Sequence, residues 1–501
     1  MTYMASRSTG NVETCGNPKI LVLNLPSPPY QNVNRDWAGG FGTAYDCKKR
    51  NDYGHTGKIT LHSFLPYVSS VLAGAEYEFV ILDCQKLKLT SSQVLKNVKK
   101  ESPDVIVSYI GLPSIYKDLE LMNKIKETLP HAPIIGVGTV CRVMPDEVLL
   151  NSNVDAVLRN GFPYVSNLVE LIQVFQKKTD LRNANGASYL KSGRVVNTPE
   201  VLSKNSNEFP YPYYDALDLE GYAEFIDAEG NQYPFVSIIG SKGCPFSCSY
   251  CPYRVGFGTK WVPKSAKEIV DEIEYLHRIR GIEGFLFRDQ IFTYNKKHLV
   301  NLCDEIIRRK LDVAWHCEAR ADQVSEELLT KMKKAGCKRV HFGVETGDPD
   351  LLGAFKPGLS LDAIRKAFHL TKKLHFYRVA ETILGFPGES RETLKKTCRF
   401  ISDLDPDDVW WNVITPYPGT EFFERARRNS WILTYDWSKY TSHTVVIKTE
   451  KLSTMELQQA VENIDHEFHR RYVKKFVKHI LHGKYKFLIA GTKEVFNRWV
   501  G

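Results

Sequence analysis

Short Val- and Ile-rich runs alternate with helical patterns along most of this chain, and that alternation leaves few folds open to it. In the first third the runs are KILVLNL (19–25), FVILDC (79–84), DVIVSYI (104–110), PIIGVG (133–138) and VDAVL (154–158). Apolar runs of this length, bounded by turn residues, read as strands buried on both faces. LHSFLPYVSSVLAG and IYKDLELMNKIKETL, between them, read as helices. Strand and helix in turn build an open α/β parallel sheet, whose ligands sit beyond the carboxyl ends of the strands. The loops there carry Pro28, Ser108, Tyr109, Gly136, Gly138 and Thr139, and the small residues among them let a bulky ligand approach the backbone.

Residues 179–234 change character. NANGASYLKSGRVVNTPE predicts a hairpin around Gly193, and the polar SKNSNE and turn-rich FPYPYYD read as linker. From Phe235 the alternation resumes with FVSIIG, GFLFRD (284–289), VAWHCEA (313–319), RVHFGVE (339–345), VAETILGF (379–386) and VWWNVIT (409–415). Six strands with intervening helices predict an incomplete parallel (β/α) barrel with its chemistry at the strand-end face. Ser265 and Glu268 predict a capping box, with Ile269, Ile273, Leu276 and Ile279 as the buried stripe of the helix that follows. Beyond residue 425, Ser453 and Glu456 cap a helix with an apolar stripe of Leu457, Val461, Ile464, Phe468 and Tyr472, expected to lie over the barrel mouth. The expected divisions are a loose tail (1–17), the sheet domain (18–178), the linker with hairpin (179–234), the barrel (235–425) and a small basic helical domain (426–501).

The chemistry concentrates in GCPFSCSYC. Cys244, Cys248 and Cys251 stand in the spacing C-x3-C-x2-C on a loop just after the first barrel strand. Thiolates so placed can hold three irons of a [4Fe–4S] cube and leave the fourth open. A structural zinc site is the alternative, but it needs a fourth Cys or His, and none stands nearby.

The net charge of +9 is mostly local: from His466 to Gly501 there are nine Lys/Arg against two acidic residues. That argues against a general nucleic-acid-binding surface; the basic end is a solvated helix face or a dock for an acidic partner. No run of 18 or more apolar residues exists, so no membrane span is expected. The polar start and eleven cysteines suggest a cytoplasmic, reducing setting.

The cysteine spacing resembles the signature of the radical SAM superfamily, in which S-adenosylmethionine (SAM) chelates the open iron. Gly385-Phe386-Pro387-Gly388-Glu389 resembles that superfamily's adenine-contacting turn, although an ordinary strand–helix turn explains its glycines equally well. The resemblance gives Tyr250 a place beside adenine, and gives Glu345 and Arg320 the SAM ribose and carboxylate, with structural ion pairs as the alternative. Asp289 is a further candidate for SAM or substrate, and Pro416-Tyr417-Pro418-Gly419-Thr420 ends the sixth strand as in cobalamin-type relatives.

Residues 18–178 resemble the Rossmann-like cobalamin-binding domain often fused to such barrels. Ser108 and Gly138 match that domain's S-x-L and Gly-Gly positions, and Val137 stands where a second glycine is common. The D-x-H-x-x-G motif is missing, and Asp52-Tyr53-Gly54-His55 has the wrong spacing, so no histidine from that motif ligates cobalt. Together the resemblance implies a cobalamin-dependent (class B) radical SAM C-methyltransferase. It implies a 5′-deoxyadenosyl radical that activates a substrate carbon and methylcobalamin that methylates it. An amino-acid side chain of a peptide or protein, or a small molecule, is the expected substrate, with flavodoxin or ferredoxin as electron donor. The alternatives are a non-methylating rearrangement or cyclisation on the same architecture, and a non-catalytic corrinoid or iron–sulfur binding protein.

Overall fold

The computed structural model describes residues 17–46, 59–163, 165, 167–200 and 210–481. The Asp52–His55 near-motif, SKNSNE and residues 482–501 of the basic end lie outside the described residues, as does most of the expected tail.

Five of the expected strands form one parallel sheet: β1 (Lys19–Asn24), β2 (Glu78–Asp83), β3 (Val105–Tyr109), β4 (Ile134–Val137) and β5 (Ala156–Leu158). They run in the order 2-1-3-4-5, the flavodoxin-like form of the doubly wound sheet. β3, β4 and β5 are buried at every position, as strands covered by helices on both faces must be. The hairpin around Gly193 forms as β6 (Ala187–Lys191) and β7 (Arg194–Asn197), but it is no free linker: β6 pairs antiparallel with β5 and extends this sheet.

The second sheet begins with an antiparallel edge, β8 (Glu224–Ile226), beside β9 (Gln232–Ile238). From β9 it continues in parallel through β10 (Gly284–Phe287), β11 (Ala314–Ala319), β12 (Cys337–Glu345), β13 (Tyr377–Leu384) and β14 (Asp408–Val413). Six parallel strands in sequence order make the partial barrel. The Ser265–Glu268 capping box opens the helix Ala266–Arg278, whose Ile269, Val270, Ile273 and Leu276 are buried. Ile279 is a correction to the expected stripe: it falls at the C-cap and is 70% exposed. The helix Thr454–Leu481 starts on the Ser453–Glu456 cap, but it lies against the outer face of β14 rather than over the barrel mouth. Phe468 packs there on Trp411, 4.9 Å between ring centroids, and Leu457 and Ile464 are buried. The Tyr472 side chain lies outside the described residues.

A two-stranded hairpin, Gln31–Asn34 with Thr43–Asp46, leaves the first domain and lies along the barrel beside β14. Trp37 in its connection meets Trp410 of β14 (5.3 Å), Ala44 N–H donates to Thr441 O (3.2 Å), and Arg288 after β10 lies over the Trp37 ring (4.7 Å). A buried ion pair, Arg35 Nη2 to Asp118 Oδ1 at 2.8 Å, anchors this strap to the first domain. Its Gly39 carbonyl presses on Gly256 so closely that a Cβ there would collide with it.

Candidate active site

The cysteine loop is closed at its base by a short ladder, Ser241 opposite Pro263 and Lys242 opposite Val262. Inside it, Cys244 N–H donates to Gly258 O (3.1 Å) and Cys251 N–H to Cys248 O (3.1 Å). Gly243 adopts φ 81°, and a Cβ there would strike the Lys260 carbonyl oxygen; its N–H donates to Gln290 Oε1 (2.8 Å). Only glycine takes this position without strain. Gly243→Ala is therefore expected to open the loop and lower cluster occupancy after reconstitution, read as iron and sulfide per chain, by several-fold.

All three thiols face one cavity of about 250 Å³ at the strand ends, shared with Phe246, Tyr250, Gln290, Arg320, Glu345 and Lys356. Burial raises each thiol's pKa, while Arg320, Arg254 and Lys356 pull Cys244 the other way. Iron binding offsets that burial cost by taking the thiolate form. Among the described residues no group of three or more His, Cys, Asp or Glu could hold a single metal ion. Thiols spread around a cavity suit a cube, whose corners are separate irons, and give zinc no tetrahedral set.

Glu345 closes β12 at a register shift between Gly343 and Glu345, with φ 64°. A bulge of this kind re-aims a side chain at a strand end. Lys356 Nζ holds its carboxylate at 2.6 Å and the Gly343 carbonyl at 2.9 Å, both side chains nearly buried. The Tyr250 hydroxyl also bonds Glu345, and its ring meets Phe386 edge-on at 5.7 Å. Arg320 lies over Phe246 (4.3 Å), pairs with Asp322 (2.9 Å) and donates to Pro357 O (3.0 Å).

Other expected site residues fall outside this lining. Asp289 is buried and accepts from Gly240 N–H (2.8 Å) and Ser241 Oγ (2.5 Å), so it positions the start of the cysteine loop. Gly385, Pro387 and Gly388 form the turn that presents Phe386 to Tyr250; the buried Glu389 side chain accepts the Gly385 N–H, and burial lifts its pKa to about 8.

Among the described residues, the strap lies over the first domain's strand ends. Tyr109 OH donates to Gly40 O (2.7 Å) and Thr139 Oγ1 to Gly39 O (2.6 Å), so the strap covers both. Ser108 is fully buried and faces Leu23 O (3.5 Å), and Tyr109's ring fills the space above Gly138. Gly136 is buried beside Cys141, and Pro28 accepts Gln31 N–H in a half-buried turn (3.1 Å). A corrin laid on these residues would have to displace Gly39 and Gly40.

Sequence reasoning missed Trp37, Thr43 and Tyr45, which reach the cavity on the strap, and Gln290, Lys356, Glu318 and Glu381. Glu318 and Glu381 alternate with buried neighbours along β11 and β13, a period-two signal readable once the barrel is assumed. Burial, with repulsion from Glu381 on Glu318 and from Glu345 on Glu381, pushes both carboxyl groups up to about 7. Raised values mean the protonated forms favour the fold: that stability is full below the ordinary 4.5 and is lost as pH rises through about 7. Glu381→Gln is expected to melt several degrees above the parent at pH 8 and level with it at pH 4.5, by scanning calorimetry.

A loop of three thiols on the first strand of a six-stranded partial barrel, beside a doubly wound domain, defines a radical SAM enzyme. Residues 238–401 match the Radical SAM superfamily. The chain is 31% identical over 414 residues to the uncharacterized methyltransferase PH0819 of Pyrococcus horikoshii, covering 81% of this chain and 87% of that one. It is 26% identical to the anaerobic magnesium-protoporphyrin IX monomethyl ester cyclase of Cereibacter sphaeroides, over 83% of this chain and 68% of the other. Its fold is similar to the radical SAM methyltransferase TsrM from Kitasatospora setae with cobalamin and [4Fe–4S] cluster bound (TM-score 0.62, 17% identity, 84% of this chain and 76% of that). It is also similar to the cobalamin-dependent radical enzyme OxsB (TM-score 0.60, 16% identity, 91% and 61%). Residues 238–401 form a radical SAM domain, and the chain belongs to the same family as the methyltransferase PH0819. It is an enzyme of the methyltransferase type. No helix among the described residues is long and apolar enough to cross a membrane.

Proposed function

We propose that this chain methylates a carbon of a substrate bound in the barrel, by radical chemistry begun at Cys244, Cys248 and Cys251. The observation that carries the reading is the convergence of three thiols with Arg320, Glu345, Lys356 and Tyr250 on one cavity at the strand ends. When bound, a reduced [4Fe–4S] cluster and SAM supply a 5′-deoxyadenosyl radical able to take hydrogen from an unactivated carbon.

The protein's own contribution is placement and shielding. The three thiolates hold the cube, and Gln290 and Asp289 fix the loop that carries them. Arg320 suits SAM's carboxylate and Glu345 its ribose hydroxyls, with Lys356 holding Glu345 in place. Tyr250, with Phe386 held by the Gly385–Gly388 turn, offers the adenine ring an aromatic edge. Trp37 and Tyr45 of the strap keep water from the open side of the barrel.

Cobalamin enters this proposal from the relatives, two of whose structures hold it by name. The strap covers the strand-end residues that would receive it, so no step is routed through it. A flavodoxin- or ferredoxin-type donor, a cytoplasmic setting and a peptide, protein or small-molecule substrate rather than nucleic acid complete the reading. A non-methylating reaction is the second reading, favoured by the likeness to a cyclase. Reduced, cobalamin-supplemented enzyme incubated with cell extract and trideuteromethyl-labelled SAM is expected to give 5′-deoxyadenosine, S-adenosylhomocysteine and a labelled product. 5′-Deoxyadenosine without S-adenosylhomocysteine would favour the second reading.

A further inference from the structure

The thiol-lined cavity has two unlike sides. Its charged residues, Glu318, Arg320, Glu345, Lys356 and Glu381, all come from β11, β12, β13 and the segments that follow them. Cys244 and Cys248 feel the charges of Arg320 and Lys356 on that side. The other side is built where the partial barrel stops. Val413 N–H of β14 donates to Ser442 O (2.7 Å), and Ala44 N–H of the strap donates to Thr441 O (3.2 Å). Residues 441–442 thus continue the wall from β14 to the strap. Trp411 turns outward onto Phe468, so its neighbours Trp410 and Asn412 turn inward. Asn412 is in register with Ile383 of β13, which also lines the cavity. Trp37, Thr43 and Tyr45 of the strap and Ser442 stand on the same side, and the strap, β14 and the segment after it add no Asp, Glu, Lys, Arg or His to the lining. Arg288 lies over the Trp37 ring, but it pairs with Glu318 (3.2 Å) and is not part of the lining.

The polar groups of this neutral side differ in what they already hold. Ser442 Oγ and Tyr417 OH share a hydrogen bond (2.7 Å), and Thr415 Oγ1 donates to Val413 O (3.0 Å). Asn412 is half-buried, and its side chain makes no hydrogen bond among the described residues. Thr43 is buried, and its hydroxyl has no partner among them either. The Asn412 amide offers N–H donors and a C=O acceptor side by side. A ligand that covers it without hydrogen bonds leaves both groups desolvated and unpaired, which is unfavourable. A charged ligand group placed here meets no counter-charge on this side of the cavity. A neutral amide satisfies both conditions. Its C=O and N–H pair with the Asn412 Nδ2–H and Oδ1, and its flat apolar faces suit a wall of Trp and Tyr rings.

Resting on the radical SAM reading above, we propose that Asn412 is a substrate-binding residue and that the substrate presents a neutral amide to it, with Thr43 beside that group. SAM, which carries formal charges on its amino-acid end, belongs to the charged side. The target carbon then lies between the amide and the cysteine loop. The amide is a peptide bond or the carboxamide of a small molecule.

The test uses the reconstituted, SAM-loaded, cobalamin-supplemented enzyme and five probes of one shape: isovaleramide, N-methylisovaleramide, isovalerate, isoamylamine and isoamyl alcohol. Each is titrated by ligand-observed NMR against the parent, Asn412→Leu, Asn412→Asp and Thr43→Val, with each variant's fold checked by its melting curve. The better amide is expected to bind at least about fivefold more tightly than the carboxylate, the amine or the alcohol, the size of effect that one or two hydrogen bonds produce. Asn412→Leu should abolish the preference for amide over alcohol, Thr43→Val should weaken it, and Asn412→Asp should move the preference to isoamylamine. Tighter binding of N-methylisovaleramide assigns the group to a peptide bond, and tighter binding of isovaleramide to a terminal carboxamide. Equal or better binding of either ion, a preference that survives Asn412→Leu, no saturable binding of either amide, or displacement of SAM by the amide would overturn the proposal. Formation of 5′-deoxyadenosine with dithionite is scored separately. Its absence with the amide preference intact contradicts the radical reading and leaves the Asn412 site, and its presence without that preference does the reverse.

Discussion

Cys248→Ala is expected to lower reductive SAM cleavage, read as 5′-deoxyadenosine, by more than about a hundredfold, the upper end of what even a lost outer-shell partner costs a metal site. Cys248 is the middle thiol of the loop and its carbonyl accepts the Cys251 N–H, so it shapes the loop and holds a corner of the cube. With two thiolates the cube has no third anchor, and a half-exposed site lets water in. The fold should survive, because the loop is tied independently by the Ser241–Pro263 ladder and by Phe422 N–H on Ser249 O (3.0 Å). An unchanged melting temperature in the apo form with lost absorbance of the reconstituted cluster is the expected pair of results. Retained SAM cleavage would remove Cys248 from the ligand set.

The second large effect concerns the Lys356–Glu345 pair. Lys356→Met leaves a buried carboxylate without its cation, a change that costs about 3–5 kcal/mol. In a domain of this size that corresponds to a drop in melting temperature on the order of 10 °C. SAM affinity is expected to fall with it, because Glu345 loses the group that aims it at the strand end. Adding Glu345→Gln to Lys356→Met should restore most of the stability but not the SAM affinity, since the amide needs no counter-ion yet binds ribose hydroxyls less strongly. If the double variant recovers neither, the pair does not act as a unit.

What could be read in advance depended on how local the signal was. The parallel strands were legible because β3, β4 and β5 are apolar almost throughout, Ser108 being the polar exception, a pattern that double coverage by helices explains. The cysteine loop was legible because its ligands lie within eight residues of one another. The strap was not. QNVNRDWAGGFGTAYD has little β-propensity, and its strands pair only with each other before docking on a barrel strand some 370 residues away. Arg35 and Asp118, which anchor it, are 83 residues apart in sequence and meet only in the fold. Ile279 continued the helical period but fell one residue past the last turn, where the chain faces water. Lys356 and Glu381 carried no motif; their meaning comes from the lumen they share.

The strap also bears on the first domain. Its hold on Tyr109 and Thr139 stands at the strand ends where the sequence resemblance places a corrin. The alternation of apolar runs predicts the sheet correctly and carries no information about what covers it.

The most direct test of the central claim is Mössbauer spectroscopy of anaerobically reconstituted, iron-57-labelled protein, before and after SAM is added. A [4Fe–4S] signal in which one iron site changes when SAM binds is the predicted result, because three thiolates leave one corner for the ligand. A spectrum without a cubane, or a cubane indifferent to SAM, would contradict the account.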